Sequence, residues 1–231
     1  MRRSPSHERS ARLVSPFSCT RPEPDHVAAA RAFASAAELD AAIAAGDYTC
    51  DVSRALYLVA HAANGAVTTA VACCCDLSEL GGGVACGQAY EDEAQRVAAH
   101  LEALGAHDVP VTIAYPANVA LSYILGAART STPLYNLQRE EEQLVVWRVS
   151  RSEAVEAICA TFGQLEGHVV AGEEQAAAAA LVADAMRERR GSLDERAPVL
   201  HPLALLVTQE ELETSDGSAL PLPGLLMHRF A

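Results

Sequence analysis

Short runs dominated by apolar residues constrain this fold more than any other feature of the sequence. They cover residues 54–61, 67–75, 109–115, 144–149 and 203–207. Runs of this length between turn and helix signals are typical of buried strands, and the run at 109–115 is typical of the core of a parallel sheet. The chain therefore predicts a sheet with a well-buried centre.

Turn and helix signals set the order of the elements. Asn64 and Gly65 separate the first two runs, and this dipeptide is typical of a hairpin turn because both residues tolerate positive φ. The pattern predicts a helix over residues 26–45, a second that places Ala94, Val97, Leu101 and Leu104 on one face before Gly105, and a third after Pro116. The order hairpin, helix, strand, helix, strand, strand predicts an α/β fold: an open, mostly parallel, Rossmann-like sheet with flanking helices and an edge hairpin.

Changes in residue composition and periodicity divide the chain into three predicted parts. Residues 1–26 are rich in Ser, Pro and Arg without periodicity, which predicts a flexible tail. Residues 27–149 are expected to form the Rossmann-like core. Residues 150–231, with predicted helices at 152–165 and 173–190 and a strand at 203–207, are expected to form an extension packed on that core.

The charge balance excludes several classes of function. The chain has 30 acidic and 17 basic residues, a net charge of −13, and all of its basic residues are Arg. Without Lys it has neither the amine of a phosphate-binding P-loop nor that of a Schiff-base enzyme. The acidic balance also argues against general DNA or RNA binding.

The start of the chain and its cysteines indicate a cytoplasmic protein with reduced thiols. No run of 18 apolar residues predicts a membrane span, and no apolar segment follows the first arginines as in a secretory signal. Seven Cys, three of them adjacent at Cys73, Cys74 and Cys75, do not resemble a disulfide framework.

No motif predicts a metal, a cofactor or a catalytic centre. The adjacent Cys residues and Cys86 lack the paired spacing of a zinc site, and the eight His residues are scattered. The glycines at 81–83 fit either a mobile loop or an anion-binding loop before a helix. The acidic runs at 91–93 and 140–142 are most simply solvated faces.

The ends of two predicted strands carry side chains suited to a nucleotide. Tyr115, Pro116 and Asn118 follow one strand, and Tyr135 and Asn136 end the next. In an open α/β sheet, ligands bind beyond the carboxyl ends of the strands. Arg129 is the nearest cation that could grip a phosphate, and His61 could lie on the same edge. Turn formation and tyrosine packing explain the same residues equally well.

The run from Val111 to Gly126, followed by Pro133, Leu134, Tyr135 and Asn136, resembles the SAVED domain. Pro116, Ala120 and Gly126 match structural positions of that family, and Tyr135 matches its strand-end aromatic. The resemblance is centred on residues 109–136. It implies a Rossmann-like sensor of bacterial antiphage defence that binds cyclic oligonucleotides and signals to an effector.

The sequence thus predicts a soluble sensor of a nucleotide-type second messenger, with Tyr115, Pro116, Asn118, Arg129, Tyr135 and Asn136 around the ligand. Two alternatives stay open. One is a small hydrolase or transferase that uses Cys86, His61 or His107. The other is a non-catalytic assembly module whose alanine-rich helix packs against another chain, which would make the protein an oligomer.

Overall fold

The fold is built around a large sheet that is covered on both faces. A computed structural model describes residues 13–139, 141–214 and 223–231. The strands of the large sheet are β1 (Val14–Ser15), β4 (Leu56–Ala63), β5 (Ala66–Cys75), β7 (Val111–Tyr115), β8 (Tyr135–Arg139), β9 (Glu142–Val149), β10 (His168–Ala171) and β11 (Leu203–Thr208). A smaller sheet contains β2 (Cys19–Pro22), β3 (Tyr48–Cys50), β6 (Ala106–His107) and β12 (Met227–Arg229).

The large sheet has the strand order β10-β7-β11-β5-β4-β9-β8, with β1 paired to the end of β5. The smaller sheet has the order β3-β2-β12-β6. Hairpins join β4 to β5 and β8 to β9, so these neighbours are antiparallel. Among the named strands of the described ranges, β7 and β11 form the one parallel pair.

Helices connect the strands. They are α1 (Ala36–Ala45), α2 (Glu91–Leu104), α3 (Val119–Ala128), α4 (Ser152–Phe162), α5 (Glu173–Arg190) and α6 (Gln209–Thr214), with 3-10 turns at Pro24–Ala29, Leu77–Glu79 and Pro198–Leu200. Ser35 and Asn118 cap α1 and α3 by accepting a hydrogen bond from a backbone N–H of the first turn.

Alternation along the strands sends side chains to two separate cores. On one face, Leu56 and Leu58 of β4 pack in a cluster with Leu121 of α3 and with Ile158 and Phe162 of α4. On the opposite face, the other β4 side chains join a second cluster that includes parts of the smaller sheet. Its members from outside the large sheet are Phe17, Cys19, Val27, Leu225 and Leu226. Continuous apolar strands therefore reflect a sheet with helices on one side and the smaller sheet and its loops on the other.

The α/β class predicted from the sequence is confirmed, but the mostly parallel Rossmann-like order is wrong. Residues 203–208 return to the centre of the sheet and insert β11 between β7 and β5, antiparallel to β5. The hairpin β4–β5 consequently lies inside the sheet rather than at its edge.

The predicted division of the chain at residues 26 and 150 stays a prediction. Residues 1–12 of the predicted tail lie outside the described residues, but β1 and β2 form within residues 13–26, and Phe17 there is 1% exposed. Residues on both sides of position 150 contribute to one sheet, since β10 and β11 belong to the same sheet as β4 and β7.

Several local predictions are confirmed. Asn64 and Gly65 adopt positive φ between β4 and β5, and Gly105 ends α2 in the left-handed region. Helix α5 covers the predicted residues 173–190. The predicted helix at 26–45 begins later, since only residues 36–45 are α-helical and a 3-10 turn precedes them.

Gly224 provides a test of how closely the chain packs before β12. Its φ is +71°, and a Cβ placed there would lie 1.8 Å from the carbonyl oxygen of Arg31. Gly191 has a similar φ of +77° but nothing within 4 Å of such a Cβ. We expect Gly191→Ala to cost about 1 kcal/mol through backbone strain alone, and Gly224→Ala to cost clearly more. Chemical denaturation of both variants measures the difference, and equal losses would contradict the packing described.

Candidate functional site

Tyr115, Pro116, Asn118 and Arg129 lie at the end of β7 and along α3, but three of these side chains already have structural partners. Tyr115 is 4% exposed and packs edge-on against Phe162, with ring centroids 4.9 Å apart. The side chain of Asn118 caps α3, and Arg129 donates a hydrogen bond to the Thr69 hydroxyl. Pro116 is exposed. Turn chemistry and packing therefore account for Tyr115 and Asn118.

Tyr135 and Asn136 lie far from Tyr115 and Pro116. β11, β5, β4 and β9 separate β7 from β8, which at about 4.8 Å per strand places the two strands roughly 24 Å apart. Tyr115 and Tyr135 also belong to cores on opposite faces of the sheet. The six predicted ligand-binding residues therefore do not surround one pocket.

The residues predicted for a catalytic alternative do not converge either. Cys86 follows a bridge to the β10 edge, His61 lies on β4, and His107 lies in the smaller sheet. Burial and the nearby carboxylates of Glu173 and Glu174 raise the pKa of Cys86, which opposes formation of a nucleophilic thiolate.

A pocket lies on the face of the large sheet that packs against the smaller sheet. It has a volume of about 220 Å³ and opens where β4 and β8 finish and β9 begins. Its lining combines apolar walls with three ionisable side chains: Val27, Ala30, His61, Leu137, Arg139, Glu142, Leu144, Pro223 and Leu225. Strand register explains the grouping, since His61 and Leu137 both pair with Leu144 of β9.

The three ionisable side chains lie together at one end of the pocket. His61 Nε2 is 3.7 Å from Glu142 Oε2, and the His61 side chain is 11% exposed against 58% for Glu142. Arg139 pairs with Glu142 across the hairpin and donates from Nη2 to the carbonyl of Ala28 at 2.8 Å. This bond uses one of the five guanidinium donors. Of the acidic run at 140–142, residue 140 lies outside the described residues.

Farther along β4 and β9, where Tyr57 pairs with Arg148, a charged cluster connects the two sheets. Asp51 follows β3, and its side chain is 7% exposed. Arg21 of β2 contacts its Oδ1 from Nη2 at 2.8 Å, and Arg148 of β9 contacts Oδ2 from Nε at 3.0 Å. The Tyr57 hydroxyl donates to the same carboxylate. We call Arg21, Asp51, Tyr57 and Arg148 the Asp51 cluster.

Hydrogen bonding dominates the electrostatics of the Asp51 cluster. Burial acts to raise the pKa of Asp51, but hydrogen bonds from Tyr57 and Arg21 outweigh it and hold the pKa below its usual range. Burial raises the pKa of the neighbouring Tyr135 to about 12. The Tyr135 hydroxyl accepts from Arg21 and donates to the carbonyl of Pro22, which fixes the chain that leads to the pocket.

Sequence reasoning missed most of this site. The sequence suggests that His61 lies on the same edge as Tyr135, but it marks Glu142 only as part of a solvated acidic run and does not single out Arg139. Their significance depends on the hairpin register, which brings Arg139 opposite Glu142. The only available signal was the alternation of Tyr135, Leu137 and Arg139 with polar residues, which marks one face of a strand.

The described part of the chain contains neither a metal-ligand cluster nor a membrane-spanning helix. Within residues 13–139, 141–214 and 223–231, no group of three or more His, Cys, Asp or Glu side chains is placed to hold a metal ion. Within those same ranges, no helix has both the length and the apolar character needed to cross a membrane.

Removal of the Asp51 carboxylate should destabilise the protein strongly, because two partly buried guanidinium groups would lose their counter-charge. We expect Asp51→Ala to lower the free energy of unfolding by about 3–5 kcal/mol. Asp40→Ala removes a 2.8 Å ion pair to Arg229 whose carboxylate side chain is 60% exposed, and should cost less than about 1 kcal/mol. Denaturant unfolding compares the two, and similar losses would show that the Asp51 cluster is not structural.

Two histidines of the smaller sheet should make stability fall in acid. His107 pairs with His228, and burial lowers their pKa values to about 3 and about 4. As pH falls below about 6.5, the unfolded chain binds protons that the folded chain does not. Stability should then decrease by up to about 1.4 kcal/mol per pH unit for each histidine until pH 3–4.

Urea unfolding of wild type and of a His107→Gln, His228→Gln double variant between pH 7 and 4.5 tests this expectation. The double variant should show a shallower decrease, because glutamine does not titrate. An unchanged slope would assign the acid sensitivity to other groups.

Comparison with known proteins places the chain in a family. Residues 8–216 match the family described as "Protein of unknown function (DUF1015)", which covers most of the chain. The resemblance to the SAVED domain is therefore wrong. It rested on a few positions of a strand–helix–strand segment that mixed α/β sheets share. No curated protein and no solved structure matches the chain. The chain belongs to the DUF1015 family.

Proposed function

We propose that the chain binds a small molecule with an apolar body and a head that carries both an anionic group and a hydrogen-bond donor, as an amino acid does. The observation that carries this proposal is the placement of Arg139, Glu142 and His61 at one end of a leucine-walled pocket. Ligand pockets commonly combine apolar walls with a few polar groups that fix orientation.

The apolar walls of the pocket should contribute binding free energy but should discriminate only weakly between ligands with different apolar bodies. Leu137, Leu144 and Leu225 belong to, or pack against, the core on this face of the sheet. An apolar ligand body placed against them gains about 25 cal/mol for each Å² that it removes from water. Small differences in the shape of an aliphatic or aromatic body should therefore change affinity only moderately.

The polar end supplies orientation. Arg139 offers planar guanidinium donors that fit a carboxylate or phosphate, and Glu142 accepts from an ammonium or hydroxyl group. His61 lies on the other side of Glu142 from Arg139, because β9 separates β4 from β8, and it can donate or accept. A ligand with only one of the two charged groups would leave the other protein charge without a ligand group opposite it.

The volume of the pocket favours a small ligand. At about 220 Å³ it is smaller than the roughly 300–1,000 Å³ of pockets that hold drug-sized molecules. Sensing of a cyclic oligonucleotide in antiviral defence stays a prediction, and one part of such a ligand at most would fit. The test must include both classes of compound.

The first experiment is calorimetric titration and thermal unfolding with L-phenylalanine, L-leucine, the same compounds without the amine, the same compounds without the carboxylate, and cyclic di-, tri- and tetranucleotides. We expect stabilisation by the complete amino acids and weaker effects from both truncated series. Saturation at 100 times the dissociation constant should add about 2.7 kcal/mol. A response to cyclic nucleotides alone, or to nothing, would contradict the proposal.

Variants assign the binding to this pocket. Arg139→Gln and Glu142→Gln each remove one charge and should weaken binding of a complete amino acid about 10-fold or more, as expected for loss of a charge-assisted hydrogen bond. Glu141→Gln is the matched control, because the exposed Glu141 neighbours Glu142 and does not line the pocket. Equal weakening by all three variants would indicate a general charge effect instead.

A further inference from the structure

A second pocket contains a histidine that is oriented by a buried carboxylate. Asp108, between β6 and β7, is 4% exposed, and its Oδ2 lies 2.9 Å from Nε2 of His100 on α2. A carboxylate has no proton to give, so Nε2–H donates and Nδ1 carries the free lone pair. The side chain of His100 is 36% exposed. The pair therefore presents an imidazole with a defined tautomer to its surroundings.

The second oxygen of Asp108 points to a role beyond packing. Oδ1 is buried and has no hydrogen-bond partner among residues 13–139, 141–214 and 223–231. A buried polar atom without a partner is costly, and such atoms in a folded protein call for an explanation. Within the described part of the chain the imidazole of His100 is the hydrogen-bond partner of this carboxylate, which therefore directs its charge at that ring, as the positioning residue of a general base does.

The surroundings of His100 can hold a substrate. The pocket has a volume of about 270 Å³, and Arg96 and Gln175 contribute polar side chains to its lining. Nη2 of Arg96 donates to Glu93, so the other guanidinium N–H groups are the ones that could reach a substrate. Arg96 precedes His100 by four residues on α2, so both lie on one face of the helix. Gln175 comes from the first turn of α5. Guanidinium and amide N–H groups can donate to an oxygen that gains charge during a reaction.

We propose that His100 is the general base of a hydrolytic site for small esters, with Asp108 as its positioning residue. Nδ1 of His100 removes a proton from water while the water oxygen bonds to the acyl carbon. The carbonyl oxygen gains negative charge next to Arg96 and Gln175. The ester C–O bond then breaks, and the leaving alkoxide takes the proton from Nδ1 to form the alcohol beside the free acid.

The chain contains a matched control for this pair. His26 contacts Asp47 from Nδ1 at 2.7 Å, but both side chains are about half exposed, with exposed fractions of 47% and 49%. His26→Gln and His100→Gln thus remove the same group from the same kind of pair, and only the second pair contains a buried carboxylate.

The experiment measures hydrolysis of p-nitrophenyl acetate and butyrate by the full chain. We expect His100→Gln to lower kcat at least 100-fold, within the range for general-base catalysis. Asp108→Asn should lower kcat with KM nearly unchanged, and His26→Gln should match wild type. Thermal unfolding checks that each variant is folded.

Nitrogen-15 NMR of the histidine rings provides a second measurement that does not need the Asp108 variant to fold. The proposal expects the proton of neutral His100 on Nε2. Turnover by wild type that does not exceed that of folded His100→Gln, or a His100 ring protonated on Nδ1 instead, would overturn the proposal.

Discussion

The burial of both faces of the central strands governs the rest of this structure. Residues 56–59 of β4, 68–75 of β5 and 203–207 of β11 are all buried, so each face of the sheet requires a cover. Helices α3, α4 and α5 cover one face, and the smaller sheet with its loops covers the other. A sheet cannot expose such strands without losing the hydrophobic free energy that drives folding.

The second cover also creates the proposed ligand site. The 3-10 turn Pro24–Ala29 and the segment before β12 approach the ends of β4, β8 and β9 and leave a pocket between them. Tyr135 donates a hydrogen bond to the carbonyl of Pro22, and Arg139 donates one to the carbonyl of Ala28. Two side chains of β8 therefore fix the backbone on each side of residues 24–27. At the opposite end of the same face, the Asp51 cluster ties β2 and β3 to β4 and β9. Rigid support on both sides favours a preformed pocket.

The sequence predicts the local elements well because their signals are short-range. The Asn64–Gly65 turn, the end of α2 at Gly105 and the extent of α5 depend on backbone preferences of neighbouring residues. Strand order does not, because the pairing of β5 with β11 joins residues more than 100 positions apart. Val111–Tyr115 and Leu203–Val207 are both predominantly apolar runs. Such a run does not specify which strand it pairs with or whether the pair is parallel.

The grouping of the candidate functional residues also depends on long-range strand pairing, which the sequence does not specify. Tyr115 and Tyr135 both end or begin strands, yet they lie on opposite faces and about 24 Å apart, because four strands separate them. Arg139, Glu142 and His61 form a group only through strand register. His100 and Asp108 are separated by a helix end and a two-residue strand, so their contact requires the turn at Gly105.

The most direct measurement of the central claim is methyl NMR of leucine-labelled protein during titration with L-phenylalanine. Leu137, Leu144 and Leu225 line the pocket, whereas Leu39 and Leu104 belong to the separate core beside α1. We predict saturable shifts of the first three methyl groups, with Leu39 and Leu104 unchanged. Shifts confined to other leucines, or no shifts at any concentration, would contradict a ligand site at this pocket.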